Sequence, residues 1–441
     1  MALARSNMAA IWLLGATTIA NVLAYAYQVV MARLLRPEDY AILTAFFAML
    51  ILEQLGGQVV QSATAKLAAQ YKAHGDDAAL HVFVRRWLRR ILVAAGIPAA
   101  LAIASAFVIS VPPLSAFAVA LLGATLFLAI LLTFTLGLLQ GLARFGWFGS
   151  VYIAMALVRL VAGVGLVLFL SRPGGPGDPV NGAFLGAAAA LAVGAIGTLL
   201  PLRPLLRAAR GARHEHDLGS AATRFFFLAA VIFLGYAALT FVDGLLAPWR
   251  IPGQAGDYAA AVTMGKIVLF APIAVGFLLL ERTSRTHALG GDPDRYLFAA
   301  LGFVLVTSGA VALAFLVAPV FFTDLIVGEQ YAGAAPLIRL YGLAALSNAL
   351  LSLWIAYFVG RGWMLIGTVI ALAVVAELGL LLTVAQDAAG MVAVVLTVAV
   401  GTQLGAVALY TLGRLRAGPR VRSPGPTSDM GGERGRRQGA P

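Results

Sequence analysis

The sequence predicts an all-α polytopic membrane protein with about twelve transmembrane helices, and three observations carry that prediction. Of its 441 residues, 61% are hydrophobic and only 11% are charged, where a soluble domain carries roughly 25% charged residues. Apolar runs recur along the chain, each close to the ~20 residues that cross a bilayer's hydrocarbon. The basic residues alternate between successive connections as a membrane topology requires. The 48 glycines and abundant alanines suit helices whose backbones approach closely in lipid.

The first run, about residues 8–32, is too long for the apolar core of a signal peptide. Its Ala24-Tyr25-Ala26 has the form of a cleavage site but lies deep in the span, so the segment reads as an uncleaved first helix. Runs two to six follow at about 40–63, 91–111, 114–139, 149–170 and 181–201. After a basic connection the pattern resumes at about 225–247, 259–280, 296–321, 334–359, 362–385 and 390–412. Residues 413–441 are rich in Arg, Gly, Pro and Ser and are expected to form a disordered basic cytoplasmic tail.

With the N-terminus in the cytoplasm, the inside connections collect 24 of the 31 Lys and Arg residues, seven of them in the tail. The outside connections hold four: Arg33, Arg36, Arg172 and Arg250. Arg159, Lys266 and Arg339 fall within spans. The remaining 17 against 4 sets both termini inside and supports an even number of spans in the cell membrane.

Composition also excludes several chemistries. There is no cysteine, so disulfides, thiolate metal sites and cysteine nucleophiles are out. The five histidines, His74, His81, His214, His216 and His287, fall in connections without metal-ligand spacing, and His214-Glu215-His216 reads as a solvated basic loop. The net charge of +12 reports topology rather than nucleic-acid binding, because the basic residues sit between apolar spans. Gly265-Lys266 lacks the preceding glycine and following hydroxyl of a phosphate-binding loop, and no cofactor is implied.

The chain repeats itself. Val22–Pro37 (VLAYAYQVVMARLLRP) and Phe233–Pro248 (FLGYAALTFVDGLLAP) agree at six of sixteen positions, and both lead to Asp-Tyr-Ala, at Asp39–Ala41 and Asp257–Ala259. Leu142–Gly149 and Phe358–Leu365 place an Arg and a Trp in similar context. Six spans per unit is an even number, so the halves share an orientation and should be related by a pseudo-two-fold axis along the membrane normal, with substrate expected at their interface.

These segments resemble the polysaccharide-flippase family of the multidrug/oligosaccharidyl-lipid/polysaccharide exporter superfamily. Met31–Tyr40 (MARLLRPEDY) is similar to that family's first outer loop, Leu138–Phe148 (LLQGLARFGWF) to its connection between spans four and five, and Ile326–Tyr341 (IVGEQYAGAAPLIRLY) to its entry into span ten. The similarity runs to about Leu412. It implies two six-helix lobes, N (1–205) and C (206–412), around a cavity lined by spans one, two, seven and eight. It further implies lipid-linked oligosaccharide as substrate, moved across the cytoplasmic membrane by alternating access, with membrane lipids and polysaccharide-assembly enzymes as partners.

Polar groups within spans are the informative ones, since a charge at the bilayer centre costs roughly 2.5–3.5 kcal/mol on insertion scales. Asn21, Tyr25 and Gln28 share one face of span one; Gln54, Gln58 and Gln61 share one of span two, beside Glu53. Tyr236, Thr240 and Asp243 repeat the spacing on span seven, and Thr263 and Lys266 lie three apart on span eight. These stripes read either as cavity lining or as interhelical hydrogen bonding, the latter worth about 0.6 kcal/mol per contact on average. A lipid-linked sugar carries a pyrophosphate, which calls for Lys266 with Arg33 or Arg36 at the outer mouth. Coupling to a proton or sodium ion calls for a buried carboxylate, and Glu53 and Asp243 are the candidates. Arg159 and Glu377 occupy nearly equivalent places in the repeats and pair either with each other or within their own lobes; Arg339 sits where it can snorkel to the headgroups. The rivals are a cation-coupled multidrug exporter of the same superfamily, a membrane polymerase or glycosyltransferase, disfavoured by the short outer connections, and a scaffold that does not transport.

Overall fold

The computed structural model describes residues 2–106, 108, 114–174, 177–207, 220–289 and 291–417. In chain order its helices are α1 (Ala2–Leu34), α2 (Pro37–Ala73), α3 (Asp77–Ser105), α4 (Ala116–Gly141), α5 (Phe145–Leu170), α6 (Pro179–Arg207) and α7 (Ser220–Arg250). Then come α8 (Ala255–Gly265), a 3-10 turn (Lys266–Leu269), α9 (Phe270–Ala288), α10 (Asp294–Val317) and α11 (Pro319–Ile326). A second 3-10 turn (Glu329–Tyr331) leads to α12 (Ala334–Gly360), α13 (Ile366–Thr383) and α14 (Ala388–Ala417). There is no strand among the described residues.

Among the described residues, nine of these helices are long and apolar enough to cross a membrane. The other three spans are α1, α2 and the α8–α9 composite, which are the ones that carry Gln28, Glu53 and Lys266. Starts are set locally: the Ser115 hydroxyl accepts from the Ala118 backbone N–H at the head of α4, and Asp76 does the same for Ala79 at the head of α3. Pro37 opens α2, with Glu38 and Asp39 in its first turn.

Packing follows the internal repeat. Within α1–α6 the main pairs are α1 with α5, α5 with α6, α2 with α4, α3 with α4 and α4 with α6. The corresponding pairs recur in the second half: α7 with α13, α13 with α14, α8 and α9 with α12, α10 with α12, and α12 with α14. Each half is thus a six-span lobe with the same neighbour pattern. Small residues permit the close pairs; a Cβ on Gly182 of α6 would sit 2.8 Å from the Leu166 and Val167 backbone of α5.

The lobes meet unevenly. α2 packs along α7 and touches α8, whereas the symmetry-related pair, α1 and α8, scarcely meets. One apolar core joins both lobes near the α1–α2 turn and includes Tyr27, Met31, Tyr40, Tyr258 and Tyr331. A second core, around Tyr71, Phe83, Leu139 and Phe148, belongs to the first lobe alone.

Three expectations are adjusted. Span eight is not continuous. Pro272 has no N–H to give the Val268 carbonyl four residues before it, so the preceding turn tightens into the 3-10 segment, and the Ser308 hydroxyl of α10 donates to that carbonyl instead (2.7 Å). The basic connection between spans two and three is itself helical on both arms, turning only at 74–76, where Gly75 adopts φ +68°. Finally, α14 runs past residue 413 to Ala417, and Arg414 pairs with Asp292 (3.0 Å) and Asp294 (2.9 Å); the rest of the expected tail lies outside the described residues, as do His214 and His216.

Candidate functional site

The 3-10 turn places Lys266 at the middle of span eight. Its ammonium donates to the Gln28 side-chain carbonyl of α1 at 2.9 Å, a hydrogen bond from one lobe to the other. The Tyr25 ring, one turn before Gln28, stands edge-on to Phe270 at 5.4 Å, again across the lobes. Arg159 of α5 lies over the rings of Tyr27 and Phe47, 5.5 Å from each centroid. It is close enough to Lys266 for the two positive charges to repel. Arg159 therefore stacks on aromatic faces of its own lobe and forms no pair with Glu377 among the described residues.

Asp243 does not neutralise Lys266. It is fully buried, and its Oδ2 accepts from the hydroxyls of Tyr258 (2.7 Å) and Tyr341 (3.0 Å), while its Oδ1 has no partner among the described residues. Glu377 of α13 is 1% exposed with its own Oε1 unpartnered, and its charge reaches Asp243. The second lobe thus holds two buried carboxylates with two free oxygens in mutual electrostatic range. Thr240 donates to the Tyr236 backbone carbonyl (2.8 Å), and Tyr236 to that of Asn348 (3.2 Å). Thr240, Lys266, Tyr341 and Asn348 line a cavity of about 10 Å³, room for a single water.

In the first lobe, Glu53 faces Thr133 of α4 across Gly57. Gln61 donates to Gln140 at 3.1 Å, which makes it an interhelical contact. Asn21 and Gln54 are exposed, and Glu53 and Gln58 partly so. Along α2 every residue from Leu43 to Ala48 is buried, but the next turns open. α8 behaves alike: it is buried almost throughout and gives way to partly exposed positions from Lys266 onward.

Towards the α1–α2 turn the lobes are latched. Tyr40 and Thr263 share a hydrogen bond (2.6 Å). Arg33 donates to the carbonyls of Leu325 (2.5 Å), Asp324 and Ile326 (3.4 Å each), which close α11. In return Gln330 (2.5 Å) and Tyr331 (2.9 Å) donate to the Ala32 carbonyl at the end of α1. Each helix C-terminus has its orphan carbonyls capped by the other lobe. Arg33 is consequently engaged in closing this end, while Arg36 and Arg339 are exposed.

Tyr258, Tyr341, Gln330, Tyr331 and Ser308 were not singled out from the sequence. Tyr40 and Tyr258 had a signal, as the equivalent tyrosines of the two Asp-Tyr-Ala repeats; Tyr40 shares a bond with Thr263 across the lobes, and Tyr258 donates to Asp243 within the second.

Neither a protein-family model nor a curated protein sequence matches the chain. Solved structures do. An inward-facing multidrug-resistance MATE transporter of the MOP superfamily aligns with TM-score 0.66 at 14% identity, covering 91% of this chain and 94% of that one. The lipid II flippase MurJ in an inward closed conformation gives 0.64 at 14% identity, over 91% and 87%. An outward-facing MATE transporter of that superfamily gives 0.60 at 13% identity, over 92% and 95%. This chain therefore has the twelve-span, two-lobe fold that these transporters and this flippase share.

Proposed function

We propose that this protein is a membrane transporter that flips a lipid-linked oligosaccharide or polysaccharide precursor across the cytoplasmic membrane by alternating access, and that it is not an enzyme. The basic asymmetry supports an outside position for the latched α1–α2 end, and on that reading the latch closes the outward side. Lobe boundaries at 1–205 and 206–412 divide the chain within the last turn of α6.

The observation that carries the reading is the Lys266–Gln28 bond at mid-span, beside Arg159 and a one-sided opening. Exposed Asn21 and Gln54 at this depth would leave polar groups unsatisfied in hydrocarbon, so they are assigned to a water-filled lumen. With Lys266 and Arg159 that lumen is cationic and suits a pyrophosphate. The thinly packed α1–α8 seam gives a lipid tail somewhere to stay in the bilayer while the headgroup crosses. Asp243 and Glu377, shielded from the lumen by tyrosines, are assigned to a coupling proton or sodium ion. A multidrug exporter of the same fold, taking cations, is favoured only by the partly exposed Glu53.

Translocation of a fluorescent lipid-linked oligosaccharide in proteoliposomes tests this. Lys266→Ala should slow flipping by about 10- to 100-fold, the worth of a hydrogen bond to a charged group, with normal membrane abundance. Lys266→Arg should keep part of the rate. Full transport by Lys266→Met with Asp243→Asn would remove the phosphate role.

A further inference from the structure

The first fourteen residues of α3 lie outside the transport argument, yet they carry the densest charge on the described surface. Arg85, Arg86, Arg89 and Arg90 are all exposed. At 100° per residue they occupy an arc of about 140° on one side of the helix. The opposite side holds Leu80, Phe83, Val84 and Ile91, buried against α2 and α4 in the first lobe's own core. The nearby carboxylates, Asp76 and Asp77, sit in the turn and first turn of α3, and Asp76 is already spent on the Ala79 N–H (2.9 Å).

The cationic arc does not fade into polar surface. It continues along the same i, i+4 row as apolar side chains: after Arg85 and Arg89 come Val93, 52% exposed, Ile97, 57%, and Leu101, 64%. From Arg89 to Val93 is about 6 Å along the axis, so the row passes from cation to hydrocarbon within one turn. Such a step is where headgroups meet acyl chains. Trp87, 37% exposed, stands at that level with the Arg90 guanidinium 5.2 Å over its ring, an interfacial side chain beside the charges.

We propose that this arginine row is a binding site for an anionic phospholipid, with Arg85, Arg89 and Arg90 holding the phosphate and an acyl chain lying along Val93, Ile97 and Leu101. A soluble phosphate would use the arginines alone. A zwitterionic phospholipid offers the same phosphate but brings a quaternary ammonium that the arginine arc repels. The continuity of the two on one helix face is what commits the site to a charged lipid. Three guanidiniums near one phosphodiester also supply several donors in fork geometry.

Native mass spectrometry of the full chain in detergent tests this, with phosphatidylglycerol, phosphatidylcholine of the same chains, or inorganic phosphate added. Phosphatidylglycerol should remain bound where phosphatidylcholine does not, and phosphate should not displace it. R85Q/R89Q/R90Q should weaken phosphatidylglycerol binding about a hundredfold, taking about a fivefold factor for each lost charge near a headgroup. R85K/R89K/R90K should retain most of it. If the triple glutamine variant does not fold, R89Q alone should lose about fivefold. Equal binding of both lipids, an unchanged affinity in R85Q/R89Q/R90Q or R89Q, or displacement by inorganic phosphate would each overturn the assignment.

Discussion

Lys266 keeps its hydrogen bond with a neutral amide while a carboxylate in electrostatic range is bonded elsewhere. The reason is geometric. Tyr258 and Tyr341 wall off Asp243, so the carboxylate is a member of a closed second-lobe network and the ammonium faces the gap between lobes. The two groups are separable experimentally. Tyr258→Phe removes one of the two donors to Asp243 Oδ2, and should destabilise the detergent-solubilised protein by about 1–3 kcal/mol. A melting curve that does not move, with unchanged dependence on added sodium and on pH, would remove Asp243 from the coupling role. Residue identities such as Gln28, Asp243 and Lys266 were legible in the sequence because polar groups stand out against apolar spans. Their partners were not. Gln28 and Lys266 are 238 positions apart, and no periodicity on either helix specifies which groove the other occupies.

At the scale of elements, the instructive case is span eight. Its apolar length was plain, but Pro272 was not read as a break. The break falls upstream, at Lys266–Leu269, because a proline withdraws the donor owed to the carbonyl four residues earlier. The stability of the kink then depends on Ser308, a residue of another helix. Ser308→Ala should leave the Val268 carbonyl unpaired and lower stability by about 1–3 kcal/mol. Pro272→Ala restores the missing donor and should straighten the span, giving equal or higher melting temperature but reduced flipping because Lys266 is carried out of reach of Gln28. Loss of stability without loss of transport in Pro272→Ala would contradict this account. The helical arms around the 74–76 turn escaped the sequence reading for a different reason. Their exposed faces are basic and break the apolar run, yet their inner faces bury Tyr71, Phe83 and Val84, which is enough to hold two helices together.

For the whole molecule, the repeat and the span alternation made the two-lobe fold readable, since both depend only on patterns within the chain. The state of the lobes could not be read, because one sequence serves every conformation in the cycle. That state is open to a direct test in a chain without cysteine. A Cβ placed on Gly244 of α7 would lie 4.0 Å from the Thr44 methyl of α2, so T44C/G244C should cross-link on oxidation. Cross-linked protein should not transport, and reductant should restore the rate. Unimpaired transport with the bridge intact would mean that the α2–α7 contact persists through the cycle. The latch beside that contact has an energetic consequence. Arg33 bonds carbonyls at the exposed end of α11, where water can take its place, while Gln330 and Tyr331 hold the buried Ala32 carbonyl. Each such exchange is worth about 0.5–1.5 kcal/mol net, far less than a bond broken in hydrocarbon. Under the proposed alternating-access cycle, a conformer with this end released should lie a few kcal/mol higher and be populated at roughly 0.1–10% at rest. The substrate need not force the latch; it has only to be captured by the minority that is already unfastened.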